Sequence, residues 1–307
     1  MEKDKNQLKG KTVVITGVSS GFGLGITLGL TELGANVVGI SRRADLLEDL
    51  RNHIENKGGS FRYVAGDVSK PETIEELSTT ALKEFGAIDI WINNVGVGAL
   101  GYFWEIPLKD HERLIDVNLK GAVYGAHAAI GHFVATGKGT LINVGSIDSE
   151  VPLALQNTYS ATKAGVLSLG RSINRELELC EKEDIKVATI MPWAVDTPWW
   201  EHAANYTGHK PRMAAMDDPE LVIDEILNAC IDPKEKMPVG YKAEGSNLFH
   251  RIFPNWAEKF SGKVAKEESE KASYSLPTTG SIHTPMKEGT TVAGNIRRRM
   301  KREDNES

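Results

Sequence analysis

Thr12-Val13-Val14-Ile15-Thr16-Gly17-Val18-Ser19-Ser20-Gly21-Phe22-Gly23 decides the fold. Five consecutive β-branched residues read as a strand buried on both faces, the pattern of a parallel sheet. Phe22, Ile26, Leu30 and Leu33 then recur at helical spacing, and Gly34 closes that helix. The glycines between strand and helix are spaced G-x-x-x-G-x-G. Gly17 permits a tight turn, while Gly21 and Gly23 let backbone and helix come close to a pyrophosphate. The helix N-terminus adds free N–H groups and a partial positive charge. The spacing differs from the G-x-G-x-x-G of other dinucleotide folds.

The same alternation continues outward. Strands are expected at 36–40, 61–65, 88–92, 140–144 and 186–190. Helices are expected at 44–57, at 71–85 with Pro71 at its start, at about 108–135 in two pieces, and at about 158–181. Repeated β-α units with short loops give an α/β fold, a doubly wound parallel sheet in a single domain over 8–250. From Ser261 the chain is rich in Lys, Glu, Ser, Thr, Gly and Pro. The extension 251–307 therefore reads as largely low-complexity or disordered, or draped on the surface. Leu276-Pro277-Thr278-Thr279-Gly280 resembles a cell-wall sorting signal but lacks the hydrophobic segment that must follow, and is read as chance. Arg297-Arg298-Arg299 with Lys301-Arg302 reads as a solvated helix end beside Glu303 and Asp304.

A length of 307 residues with 40% hydrophobic content suffices for one large core. The net charge of −6 argues against a nucleic-acid partner. Only two cysteines occur, Cys180 and Cys230, which fits a reducing compartment and excludes a cysteine-ligated cluster. The charged start Met1-Glu2-Lys3-Asp4-Lys5 runs directly toward a strand without a signal peptide. No apolar run approaches the roughly 20 residues of a membrane span. The longest candidate, 121–134, is interrupted by His127 and His132. The expectation is a cytoplasmic protein with no membrane partner and no metal.

Tyr159-Ser160-Ala161-Thr162-Lys163 carries chemistry. Positions i and i+4 share a helix face, and an ammonium one turn from a phenol favours the phenolate and lowers the tyrosine pKa. A tyrosine so tuned can give a proton to a carbonyl oxygen or take one from an alcohol. Ser146, upstream, follows the run Thr140-Leu141-Ile142-Asn143-Val144 at the carboxyl end of a strand, where ligands bind in open α/β sheets.

Taken in order, the Gly17 loop, Asp67, Asn93-Asn94-Val95-Gly96, Asn118, Ser146, Tyr159 and Lys163 resemble the short-chain dehydrogenase/reductase family over about 10–200 and weakly to about 250. Two positions depart from its pattern: Val95 stands for the usual alanine, and Trp193, after Pro192, for the usual glycine. The resemblance implies a Rossmann-type fold and carbonyl–alcohol interconversion by hydride transfer. It makes Asn118, Ser146, Tyr159 and Lys163 the catalytic set. Tyr159 would be the general acid/base, with Lys163 lowering its pKa and holding the nicotinamide ribose. Ser146 would bond the developing oxyanion, and Asn118 would anchor a water. Cofactor contacts are expected from Gly17, Ser19, Ser20, Gly21, Phe22 and Gly23, from Asp67 and Val68 at the adenine, and from Asn94 near the adjoining ribose. Val95, Gly96, Tyr159, Lys163, Pro192, Trp193, Val195 and Thr197 complete the set.

The second strand ends Ile40-Ser41-Arg42-Arg43, with no acid until Asp45. An acid there would bind an NAD ribose, whereas guanidinium groups pair with a phosphate. Ser41, Arg42 and Arg43 therefore point to NADP(H) over NAD(H). The segment 193–200, rich in tryptophan, with His202, Tyr206 and His209, resembles a mobile substrate loop. Tyr102, Phe103 and Trp104 could face it. That suits a bulky apolar or aromatic carbonyl compound, or else packing of the loop or an interface. The alternatives are a dinucleotide-binding sensor, or an epimerase or dehydratase of the same superfamily. The resemblance further implies a homodimer or homotetramer through the helices at 108–135 and 158–181. Gly121, Ala122, Gly125, Ala126, Ala128 and Ala129 would allow the close approach.

Overall fold

The computed structural model describes residues 5–306, so the charged opening at 1–4 lies outside the described residues. Strand β1 (Thr12–Thr16) leads through the glycine turn into α1 (Gly21–Glu32), followed by β2 (Asn36–Ser41), α2 (Ala44–Asn56), β3 (Ser60–Ala65), α3 (Pro71–Phe85) and β4 (Ile90–Asn93). A short β5 (Ala99–Leu100) precedes α4 (Leu108–Leu114), which continues through one π-helical stretch, Ile115–Lys120, into α5 (Gly121–Thr136). Then come β6 (Gly139–Val144), a 3₁₀ turn at Ile147–Ser149, α6 (Asn157–Leu179) and β7 (Ile185–Pro192). After α7 (Trp199–His202), β8 (Ala204–Asn205) and α8 (Pro219–Ala229), β9 (Lys236–Val239) completes the main sheet.

Its seven strands run in the order β3-β2-β1-β4-β6-β7-β9, every pairing parallel. The order reverses between β1 and β4, and in such sheets the ligand crevice lies outside the strand ends at that point. Helices cover both faces. Ile26, Leu30, Leu47, Val222 and Ile226 pack with Val13 and Ile15 on one side. Leu77, Ala126, Ala129, Phe133 and Leu177 pack with Val14, Val38 and Trp91 on the other. The small residues of α5 serve this packing: a Cβ on Gly125 would stand 2.1 Å from Asn93 Oδ1. They bring the helix close onto its own sheet.

The six strands expected from the sequence are all present. The seventh, β9, was not anticipated. Its four residues include Pro238, and a proline is tolerated only where, as here, the strand ends the sheet.

Over its described length the extension carries regular elements. Helices α9 (Gly240–Ile252) and α10 (Pro254–Lys271) follow one another, and α11 (Ile296–Glu306) lies near the end. Between them residues 272–295 run as a strap across the carboxyl ends of the strands. Thr278 exchanges backbone hydrogen bonds with Asn205, so Leu276–Gly280 is a paired surface segment. The strap buries Ile282 and ends at Ile296, also buried. Arg212, 2% exposed, ties α10 and α11 together through Glu268 (3.1 Å), Glu303 (3.4 Å) and Asp304 (2.8 Å). Two members of the basic cluster are engaged, Arg297 bonding Asp196 and Asp218 and Arg299 donating to the Pro211 carbonyl, while Arg298, Lys301 and Arg302 are exposed. Among the described residues no helix is long and apolar enough to cross a membrane. Nor could any group of three or more His, Cys, Asp or Glu hold a metal ion.

Candidate active site

One cavity of about 870 Å³ opens at the carboxyl ends of the strands. Its first wall is the turn after β1. Gly17 has φ +79° and Gly21 φ +56°, and a Cβ on Gly23 would lie 1.8 Å from the Gly17 carbonyl oxygen. Only glycine allows this turn to fold against the start of α1. The Asn94 amide spans it from β4, donating to the carbonyls of Thr16 (2.9 Å) and Gly17 (3.0 Å). Its expected place near a ribose is thus joined by a definite duty in shaping the glycine loop.

The second wall is a cluster of cations. Arg43 donates to the hydroxyls of Ser19 (2.8 Å) and Ser20 (2.9 Å), and Ser19 bonds Ser41 at 2.7 Å. Arg42 donates to the carbonyls of Ser281, Ile282 and His283 in the strap. Arg113 reaches Ile282 (2.8 Å) and Asp67 (2.5 Å). Burial and then the neighbouring Arg113 hold the Arg42 guanidinium below its usual range. Burial pushes the Asp67 carboxyl up, but bonds from Ser69 and Arg113 outweigh it and leave it below the usual range. The strap also caps the glycine turn, Gly21 N–H donating to Thr291 O at 2.9 Å. His283 bonds the buried Asp110 at 2.7 Å, and His202 bonds Glu288 O at 3.0 Å.

The inner end holds the reactive groups. Ser146 follows β6 and caps the 3₁₀ turn, its hydroxyl accepting the Asp148 N–H at 3.2 Å. Tyr159 and Lys163 project from adjacent turns of α6. Lys163, 3% exposed, donates to Val144 O at 2.7 Å and stands 5.7 Å from the Tyr159 ring centroid. Burial lowers it to about 8, with Asp148 acting the other way. The expected lowering of the Tyr159 pKa is not what this environment produces. Burial and then the nearby Asp148 push its phenol up, against a hydrogen bond with Ser146. Asp148 itself is raised by burial to about 7, although Ser160 and Lys163 oppose the shift.

Of the expected site residues, all line this cavity except Gly23, which sits behind the turn, and Asn118. Asn118 lies in the π-helical stretch, a device that re-aims backbone groups at functional sites. Its amide is fixed to the backbone of Val97 (2.8 and 2.9 Å) and to Thr162 (3.2 Å). Trp193 forms part of the wall and packs on Ile147, Val151 and Met191, its indole N–H buried with no partner. Trp199 packs tilted against Tyr159, the ring centroids 5.1 Å apart. Tyr102, Phe103 and Trp104 turn outward instead, Trp104 being 79% exposed, and Tyr206 is spent on Asp110.

Two features escaped the sequence reading. Asp148 is visible two residues after Ser146 and could have been found there. The strap has no local signal, because its partners are distant in sequence, His202 lying 86 residues from Glu288 and Arg42 240 residues from Ile282.

The short chain dehydrogenase family model matches residues 11–206. The chain belongs to that family. It is thus an oxidoreductase of the short-chain dehydrogenase/reductase class. It is 34% identical over 261 residues to the uncharacterized oxidoreductase YxnA of Bacillus subtilis, covering 84% of this chain and 73% of that one. It is 37% identical over 196 residues to 3beta-hydroxysteroid dehydrogenase 1 of Eggerthella lenta, covering 63% and 74%. Among solved structures, a family member from Burkholderia phymatum in complex with NAD superposes with TM-score 0.72 at 20% identity, over 81% of this chain and 95% of that one. An alcohol dehydrogenase from Thermococcus sibiricus complexed with 5-hydroxy-NADP superposes with TM-score 0.63 at 25% identity, over 74% and 95%.

Proposed function

We propose that the protein is an NADP(H)-dependent oxidoreductase that interconverts a bulky apolar carbonyl compound and its alcohol. The observation that carries this reading is one continuous cavity with Ser146, Tyr159 and Lys163 at one end and Arg42, Arg43 and Arg113 at the other. The glycine turn supports a dinucleotide, since its backbone approach leaves no room for a Cβ at Gly23. The arginine cluster supports the 2′-phosphorylated form, because guanidinium groups pair with phosphate in bidentate fashion.

When bound, the nicotinamide supplies or accepts the hydride. The chain's own residues do the rest. Tyr159 gives its phenolic proton to the carbonyl oxygen, or takes the proton of the alcohol. Ser146 donates to that oxygen, a bond that strengthens as negative charge develops. Lys163, fixed by Val144, keeps a cation beside the phenol. The apolar wall of Val151, Leu153, Trp199, Trp200, Met213 and Phe249 excludes water and suits a large, flat, apolar substrate. The name of the Eggerthella lenta relative agrees with that class. Residues 8–250 act as the catalytic domain, in the cytoplasm, as a homodimer or homotetramer. Sedimentation giving a monomer at micromolar concentration would remove the last point.

The test is NADPH oxidation against a panel of ketones, aldehydes and quinones, steroid ketones included. Tyr159→Phe keeps the ring and removes the proton donor, so kcat is expected to fall by about 10²–10⁴-fold with NADPH affinity nearly unchanged. A variant keeping more than a tenth of wild-type turnover would remove Tyr159 from its role.

A further inference from the structure

Gln156 has no part in the reaction as described so far, yet it lines the same cavity as Tyr159. It is 6% exposed. Among the described residues none gives its side-chain amide a hydrogen bond. The Trp193 indole N–H, also without a partner, is sealed in protein, but the Gln156 amide is not. A residue so deeply buried has only the cavity to open on, so the amide faces the space a substrate would fill.

The backbone holds Gln156 in this position at some cost. Leu155, just before it, has φ +68°, a left-handed conformation that a branched side chain disfavours. Such strain persists only where the surroundings impose it, and it gathers at functional sites. Here Gly101 imposes it from the end of β5. Its N–H donates to Leu155 O at 3.0 Å, and its carbonyl accepts from Asn157 Nδ2 at 3.3 Å. Gln156 N–H donates to Leu153 O at 3.2 Å, and Ser160 N–H donates to Gln156 O at 2.8 Å. The second bond opens α6 and sets Gln156 three residues before Tyr159 on one helical turn. Residues so spaced are surface neighbours, with Cβ atoms about 5–6 Å apart. On the other side, Leu153 packs against Trp200 and Met213. Gln156 is therefore a polar group at the seam between the reactive phenol and the apolar wall.

An amide offers two donors and one acceptor oxygen. Water can satisfy them while the cavity is open. A large apolar substrate expels that water, and an amide left unpaired in an apolar wall is costly. We propose that Gln156 is a specificity-determining residue that hydrogen-bonds a second oxygen of the substrate, a hydroxyl or carbonyl on the first or second carbon from the reacting carbonyl. This rests on the carbonyl being held at Tyr159, as proposed above. The substrate class narrows accordingly, from bulky apolar carbonyl compounds in general to hydroxyketones and diketones with hydrocarbon bulk. A plain ketone of the same shape strands the amide and is rejected on that account.

Two matched pairs of ketones test this: benzoin against deoxybenzoin, and β-hydroxydihydrochalcone against dihydrochalcone. Affinity is read from tryptophan fluorescence of the wild-type protein with NADP⁺ present, which has no hydride to give, so the ketones bind without turnover. The hydroxylated member of at least one pair is expected to bind about 5–100-fold tighter, the scale of one buried polar group left unpaired. Gln156→Met keeps the bulk, removes the amide and should erase that preference. Its unfolding temperature should stay near wild type, because the amide has no protein partner to lose. Equal affinities within both pairs, a preference that survives Gln156→Met, or no binding by any of the four ketones overturns the proposal. The wild-type comparison stands without a variant, and Gln156→Leu replaces the methionine variant should that one fail to fold. Turnover with NADPH separates this inference from the reading beneath it. Reduction of the plain ketones as readily as the hydroxylated ones removes Gln156 from its role and spares the proposed function. Selective binding without reduction of any ketone keeps the role of Gln156 in binding and strikes at the proposed function instead.

Discussion

At the scale of single residues, Asp148 couples the site to stability. Its folded-state pKa lies near 7, above the usual carboxylate value of 3.8. An acid raised in the folded state binds its proton more tightly there than in the unfolded chain. The stability it contributes is therefore present below about pH 4 and is lost as pH rises through about 7. Asp148→Asn should leave stability near wild type at pH 4 and raise it at pH 8, by roughly 1–3 kcal/mol. Denaturant midpoints at the two pH values check this, and a gain at pH 4 alone would contradict the sign. Tyr159 and Lys163 were legible in the sequence because their relation is local, one helical turn. The direction of the Tyr159 shift was not, since it depends on burial and on an acid brought alongside from a different element.

Secondary-structure elements were legible where the chain buries both faces of a strand. Val13, Val14 and Ile15, or Leu141 and Ile142, have no solvent-facing partners to break the apolar run. The strand β9 has no such run, and β5 and β8 are two residues each, too short for any period to show. The corner where β2 meets α2 carries the cofactor reading. There Arg42 is shared between the cavity and three strap carbonyls. Arg42→Ala should weaken NADPH binding by roughly 1.5–3 kcal/mol, the scale of a charged hydrogen bond. NADH binding should change far less, as measured by titration of each cofactor. Equal losses would mean that Arg42 serves only to anchor the strap.

For the whole molecule, the sheet and its two helical layers are expected to fold as a unit without the strap. Composition suggested as much for the tail, but it could not reveal Ile282 and Ile296, two buried apolar anchors set in a polar stretch. A chain ending before Ser273 should keep a single cooperative unfolding transition. Its stability should fall by up to about 3–6 kcal/mol for the two isoleucines no longer buried, and it should release bound dinucleotide faster. Thermal unfolding and stopped-flow displacement check the two halves of this expectation. Loss of the cooperative transition would place the strap within the core.

Synthesis gives the strap one more consequence. Arg42 and the carbonyl of Ile282 that it bonds are separated by 240 residues. At about 5–20 residues per second, a ribosome needs on the order of ten to fifty seconds to travel from one to the other. The groove is complete only once residues through Thr197 have been made, so it stands open on the nascent protein for the last part of that interval and is roofed only when translation is nearly done. A dinucleotide that binds during the delay meets an open groove, and the last-made segment then closes over it.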